Sequence, residues 1–200
     1  MIAIVDYGVG NLFSLLSSLR ALDLEAEVTG DAGRLRAADR IILPGVGAFG
    51  DARAKLDATG LVPVIQEEAE KKPLLGICLG MQLLLEQGRE VRPCPGLGVI
   101  RGTVDRIPTQ SKLPHIGWNS LRFFHHSPLF RGLDEGAYVY FVHSFSAQDT
   151  DPAQVIAVTD YGPAVTAAVS SGNFYGTQFH PEKSGEVGLT ILRNFAGLNC

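Results

Sequence analysis

Apolar residues come in short, unbroken runs in the first half of this chain and in alternation in the second. Ile2-Ala3-Ile4-Val5, Arg40-Ile41-Ile42-Leu43 and Leu74-Leu75-Gly76-Ile77 read as strands, and Glu25 to Val28 as a fourth, alternating one. Between the first two strands, Leu12, Leu15, Leu16 and Leu19 fall at helical spacing. Residues 51–71 read as helix, broken near Gly60 and Pro63. Strand and helix in turn predict a mostly parallel central sheet with helices on both faces. Residues 97–124 read as short strands around turns at Gly102 and Pro114. Tyr138 to Phe145, Val155 to Val158, Ala164 to Val169 and Phe174 to Phe179 read as further strands, the last two joined at Ser170-Ser171-Gly172-Asn173. They predict an antiparallel extension, closed by a helix from Gly185 to Phe195. With no internal repeat or linker, residues 1–200 are expected to form a single domain.

Composition narrows the class of function. A formal net charge of −4 and the lack of any basic run argue against a nucleic-acid binder. Cys78, Cys94 and Cys200 are widely spaced, with no C-x-x-C and no Cys/His cluster, so neither a disulfide framework nor a metal site is expected. Asp6 interrupts the first apolar run, and no apolar run approaches membrane-spanning length. These features predict a reducing, cytoplasmic setting without membrane association. Gly8-Val9-Gly10-Asn11 suggests a dinucleotide fingerprint, but Phe13 stands where its third glycine belongs. No cofactor is expected, and this turn reads as one near substrate or partner.

The most specific stretch is Gly76-Ile77-Cys78-Leu79-Gly80, leading into a helix-like run from Met81 to Gln87. G-x-C-x-G is the cysteine counterpart of the serine nucleophile elbow. A nucleophile on a sharp strand-to-helix turn has strained backbone angles, and glycine at each flank removes the Cβ that would crowd it. The turn lifts the sulfur above the sheet to a helix N-terminus, where thiolate is favoured over thiol. A plain buried cysteine in a glycine-punctuated strand would give the same five residues.

Phe179-His180-Pro181-Glu182-Lys183-Ser184 lies between the last strand and the last helix. A histidine beside a cysteine can take its proton, and a carboxylate on the other ring nitrogen fixes the tautomer. Cys78 and His180 come from ends of different strands, which a parallel sheet brings to one edge, and Glu182 follows two residues on. A thiolate attacking a carbonyl also needs an oxyanion hole. The Leu79 N–H can supply one donor, and Pro44-Gly45-Val46-Gly47 the other, through the Gly45–Val46 peptide. Glycine tolerates both signs of φ, so that peptide could switch between an inward carbonyl and an inward N–H. Gly45→Val would then weaken stimulation by a partner more than it weakens binding of one.

Taken together, Pro44 to Gly47, Gly76 to Gln82 and Phe179 to Glu182 resemble the class I, triad-type glutamine amidotransferases, and the likeness spans nearly the whole chain. The resemblance implies a three-layer, flavodoxin-like α/β fold. It also implies glutamine hydrolysis through a cysteinyl thioester, with Cys78 as nucleophile, His180 as base and Glu182 as its orienter. Gly47 and Gln82 would line the glutamine pocket and Glu90 would face the α-amino group. Four further stretches are Asp6 to Leu12, Pro114 to Asn119, Tyr140 to Phe145 and His180 to Ser184. They resemble the glutaminase subunits of imidazole glycerol phosphate synthase, in histidine biosynthesis. In that group the ammonia passes through a channel to a separate (βα)₈-barrel cyclase, forming a heterodimer, and His143, Ser144 and Phe145 would contact glutamine. Phe145 departs from the tyrosine expected there, which matters little if the backbone does the binding. The resemblance sets Trp118 against the cyclase, and Asn11 and Lys183 lie near strand-to-loop junctions on the same edge. The triad alone leaves open an anthranilate, GMP or carbamoyl-phosphate type of amidotransferase, or a non-catalytic α/β binding subunit.

Overall fold

Ile2, Ala3, Ile4 and Val5 are all buried, with Ile2 and Ile4 packing into one apolar cluster and Ala3 and Val5 into another. The same alternation divides Ile42 from Ile41 and Leu43, and Leu75 and Ile77 from Leu74. These strands therefore sit between two cores. That is why they read as continuous apolar runs rather than alternating ones. The structure, a computed structural model, describes residues 1–198; Cys200 lies outside them.

The strands are β1 (Ile2–Val5), β2 (Ala26–Thr29), β3 (Arg40–Leu43), β4 (Leu74–Ile77), β5 (Leu85–Gly88), β6 (Cys94–Pro95) and β7 (Ile100–Arg106). They continue as β8 (His115–Ser120), β9 (Arg122–Phe123), β10 (Tyr138–His143), β11 (Phe145–Gln148), β12 (Val155–Asp160), β13 (Ala164–Ser171) and β14 (Phe174–Thr177). The helices are α1 (Leu12–Ala21), α2 (Ala32–Ala37), α3 (Phe49–Ala58), α4 (Val62–Ala69), α5 (Leu79–Leu83) and α6 (Gly185–Ala196). The central sheet has 8 strands in the order β2-β1-β3-β4-β14-β13-β12-β9. Its pairings are parallel from β2 through β14, and β13, β12 and β9 extend it antiparallel. Leu15 and Leu19 of α1 and Ile191, Leu192 and Phe195 of α6 cover one face. Leu35, Leu56, Ile65 and Met81, from α2 to α5, cover the other. The three-layer α/β architecture with an antiparallel extension is thus as expected.

Several local readings are corrected. Helix α2 was not legible: it is short and buries only Leu35, although Asp31 caps it by accepting from the Arg34 N–H at 2.8 Å. The helix after the elbow stops at Leu83, and Leu85 to Gly88 turns into a strand because it pairs with β7 and β6. Gly102 lies within β7 rather than at a turn. Its φ is +121°, beside a register shift between β5 and β7, and a Cβ there would come 2.6 Å from the Gln148 carbonyl oxygen. Between α3 and α4 the break is at Gly60, with φ +69°, while Pro63 sits in the first turn of α4, where its missing N–H costs nothing. The strand read from Tyr138 to Phe145 is divided at Ser144: β10 pairs with β8, and β11 pairs with β7 in a second small sheet.

The elbow glycines are required by packing. A Cβ on Gly80 would lie 1.8 Å from the Leu43 carbonyl oxygen, and one on Gly76 would lie 2.7 Å from backbone atoms of Gly80 and Met81. Neither contact can be relieved by turning a side chain. Gly80→Ala is therefore expected to cost about 3 kcal/mol or more, which lowers Tm by about 6–12 °C for a chain of this size. A thermal melt of the variant against wild type checks this. An unchanged Tm would show that β3 and the elbow are not in direct backbone contact.

Candidate functional site

Strand β4 delivers Cys78 to the N-cap of α5 with φ 55° and ψ −110°. Few non-glycine residues adopt positive φ, and this ψ is far from the left-handed helical minimum, so the backbone is strained at the sulfur-bearing residue. Neighbouring groups hold it there. The Cys78 N–H donates to the Thr177 carbonyl at 2.7 Å, and the Gln82 N–H donates back to the Cys78 carbonyl at 3.1 Å. Strand β14 runs parallel beside β4, in register Thr177 to Ile77, so the chain beyond it reaches the same edge.

His180 follows directly. Its N–H donates to the Tyr140 carbonyl at 3.0 Å, and its own carbonyl accepts from the Ser184 hydroxyl at 2.6 Å. Its Nδ1–H donates to Glu182 Oε1 at 2.8 Å, both side chains being buried. That bond fixes the tautomer and leaves Nε2 as the working nitrogen, with no partner of ordinary hydrogen-bond geometry. Nucleophile–base pairs commonly tighten only when substrate is bound. Burial opposes a charge on His180, but the adjoining Cys78 thiol and the Glu182 carboxylate outweigh it and raise the pKa to about 9.

Cys78 and His180 open into a cavity of about 410 Å³. Its lining contains Val46, Gly47, Leu79, Gln82, Glu90, His143, Ser144 and Phe145, so every residue expected to bind substrate or oxyanion meets there. The polar atoms are already in use in informative ways. Gln82 Nε2 donates to the Phe145 carbonyl and to Gln178 Oε1, both at 3.0 Å. Glu90 Oε2 accepts from the Phe49 N–H at 2.7 Å, at the start of α3, which draws a residue from an irregular loop into the cavity wall.

The Pro44–Gly47 loop is pinned against the elbow. Tyr7 donates its hydroxyl proton to the Pro44 carbonyl at 2.7 Å, and burial first, then the nearby Cys78, raises the pKa of that hydroxyl. The expectation for Gly45 changes here. Positive φ belongs to Gly47, at +97°, and not to Gly45. A Cβ on Gly45 would lie 2.8 Å from Gly80 N and 2.9 Å from both Leu79 Cβ and Tyr7 Oη. Gly45 is small because the loop packs on the elbow, so Gly45→Val would disrupt that packing and cannot report on a switch.

Trp118 and Lys183 are brought together around Tyr140. The Trp118 and Tyr140 rings meet edge to face at 6.2 Å, and Lys183 Nζ stands 5.9 Å from the centre of the Tyr140 ring. Trp118 remains 55% exposed, beside an exposed Ile116 and Tyr138. Asn11 lies apart from them, in a small recess with Gly45, Val46, His180 and Glu182.

Two residues escaped the sequence reading. Gln178, fully buried, donates from Nε2 to Cys78 Sγ at 3.7 Å and joins it to Gln82. A polar residue in an apolar strand, two places before His180, was the available signal. Tyr7 gave none, because its role depends on a loop 37 positions away.

The family model described as "Glutamine amidotransferase class-I" matches residues 3–197. A Bacillus cereus protein described as imidazole glycerol phosphate synthase subunit HisH is 48% identical over 199 residues, covering 99% of this chain and 95% of the relative. A protein of the same description from Methanothermobacter thermautotrophicus is 49% identical over 195 residues, covering 98% and 97%. Among solved structures, the PurLQS structure from Thermotoga maritima superposes with TM-score 0.78 at 22% identity, covering 98% of this chain and 96% of that one. A Thermoplasma acidophilum protein described as a putative GMP synthase component gives 0.75 at 23%, covering 98% and 92%. At those identities the structural likeness speaks for the fold, while the family match and the relatives span almost every residue. The chain belongs to the class I glutamine amidotransferase family.

Proposed function

We propose that this chain is the glutaminase subunit of an imidazole glycerol phosphate synthase, with Cys78, His180 and Glu182 as its triad. The observation that carries the reading is the His180–Glu182 bond of 2.8 Å, which leaves Nε2 facing a cavity shared with Cys78. In the reaction, the Cys78 sulfur attacks the side-chain amide carbon of glutamine, and the carbonyl oxygen becomes an oxyanion that the Val46 and Leu79 N–H groups are placed to receive. Imidazolium at His180 protonates the departing nitrogen, ammonia leaves, and a γ-glutamyl thioester remains. Water, deprotonated by the now neutral His180, attacks the thioester and releases glutamate. Gly47, Gln82, Glu90 and the His143–Phe145 segment enclose the substrate.

The ammonia passes to a (βα)₈-barrel cyclase in a cytoplasmic heterodimer, over the edge that carries Asn11, Trp118 and Lys183. The single domain at 1–200 is the amidotransferase alone. Identity of about 48% over nearly the full length of relatives described as subunits of this synthase supports this choice over the anthranilate, GMP and carbamoyl-phosphate types. The test is glutamate release by the chain with and without the cyclase. No release with the cyclase present would remove the reading.

Trp118→Ala tests the docking edge separately. A half-exposed tryptophan braced by Tyr140 and adjoining exposed Ile116 has the character of an interface anchor. The substitution is expected to raise the Kd for the cyclase by about 30-fold or more, measured by calorimetry. Unchanged affinity would place the interface elsewhere.

A further inference from the structure

Behind the cavity wall lies a line of hydrogen bonds that the triad does not use. Asn119 Nδ2 lies 3.2 Å from His115 Nε2, His115 Nδ1 lies 3.1 Å from His143 Nε2, and His143 Nδ1 lies 2.8 Å from the Phe145 carbonyl oxygen. The direction of every bond can be derived. A carbonyl only accepts, so His143 Nδ1 carries hydrogen; burial lowers the pKa of His143 to about 4, so its ring is neutral and Nε2 must accept. His115 therefore donates from Nδ1, and burial lowers its pKa as well, leaving Nε2 to accept from the Asn119 amide. The amide's second hydrogen goes to the Asp160 carbonyl at 3.0 Å. The His115 ring is held in place by stacking between Phe141, at 4.7 Å, and Tyr161, at 4.0 Å.

The end of this line has a particular need of it. Ser144 belongs to no strand, so the backbone turns from β10 to β11 at the cavity without a continuous ladder to orient it. The Phe145 carbonyl accepts from both His143 Nδ1 and Gln82 Nε2, which fills its two lone pairs and fixes its direction. At the other end, β8 presents His115 inward while its neighbours Ile116 and Trp118 are exposed.

We propose that Asn119 and His115 are positioning residues that act through His143 to set the Phe145 carbonyl, and so the glutamine-side wall of the cavity, from the strand that carries Trp118. The identity of the cavity's occupant rests on the glutaminase reading above; the relay itself does not. The device is the tautomer. With His115 donating, His143 must carry its hydrogen on Nδ1. Without that donor, His143 is free to carry it on Nε2 and would turn a lone pair toward the Phe145 oxygen, replacing attraction by repulsion.

The experiment joins nitrogen-detected NMR of the imidazoles to kinetics of the complex with the cyclase. In wild type, His115 and His143 should both read as Nδ1–H tautomers. His115→Phe keeps an aromatic ring between Phe141 and Tyr161 but removes the donor. His143 should then show a mixed tautomer population, with KM for glutamine raised about 5–30-fold and kcat changed much less, as expected for one lost hydrogen bond in the binding wall. His115→Asn restores a donor near the Nδ1 position and should return His143 to Nδ1–H and KM to within about threefold of wild type. An Nε2–H tautomer of His143 in wild type, a wild-type KM in His115→Phe, or a His115→Asn variant with Nδ1–H retained and KM still raised would each overturn the relay. If the wild-type complex releases no glutamate, the glutaminase reading fails, and the tautomers of wild type and His115→Asn still decide the relay. Should His115→Phe not fold, those same two proteins decide it.

Discussion

Cys78→Ala is expected to abolish glutamine-dependent synthesis by the complex while ammonia-dependent synthesis by the cyclase persists. The sulfur is the nucleophilic atom of the cavity, set at a strained turn with His180 beside it. Removing a nucleophile of this kind costs on the order of 10⁵–10⁶ in turnover. Alanine fits the site without new contacts, and the bonds that hold residue 78, from its N–H to Thr177 and from Gln82 to its carbonyl, are backbone bonds that the variant keeps. The loss should therefore be in chemistry rather than in folding or docking. Two assays on one preparation decide it, glutamate release and synthesis from added ammonium. Residual glutamate release within tenfold of wild type would remove Cys78 as nucleophile. Cys94, the other cysteine among the described residues, makes only a 3.9 Å contact to the adjacent Pro95 carbonyl, and Cys94→Ala serves as the control.

His180→Ala should lower turnover nearly as far as Cys78→Ala, and Glu182→Gln less, by about 10²–10⁴. Glutamine can still receive the Nδ1–H but supplies no charge to stabilise imidazolium. The pair also leaves a signature in stability. His180 has a pKa raised to about 9, above its ordinary 6.5. Its contribution to folding is thus fully present below about pH 6.5 and is lost as pH rises through about 9. Denaturant melts of wild type at pH 6 and pH 9.5 should show the protein losing stability across that interval. Glu182→Gln and Cys78→Ala should each lose less, since each removes one of the groups that raise the pKa. An equal loss in all three proteins would mean that His180 is not charged by these neighbours.

What could be read in the sequence and what could not divide along physical lines. The central strands were legible because burial on both faces forces unbroken apolar runs, as in Ile2–Val5 and Leu74–Ile77. The elbow was legible because glycines are demanded at 76 and 80 by backbone contacts that no other residue could survive. Elements whose identity is decided by distant partners were not. Leu85 to Gly88 has no local reason to leave the helix; it is a strand because β7 lies beside it. Gly102 looked like a turn because a glycine in a bulge and a glycine in a turn have the same local chemistry. Gln178 and Tyr7 went unread for the same reason, since what gives each its place is an atom far along the chain, at Cys78 and Pro44.

The position of β14 bears on how the protein is made. It is the last strand of the chain, yet it sits in the interior of the central sheet, between β4 and β13. The parallel half synthesised first and the antiparallel half that follows have no shared edge until it arrives, and such long-range closure is a late event in folding. The same strand carries the chain to His180 and lays the Thr177 carbonyl against Cys78. A chain still emerging from the ribosome therefore has a thiol but no base to serve it. Assembly of the sheet and acquisition of hydrolytic competence are one event, and a partly made or truncated chain has no means of consuming glutamine.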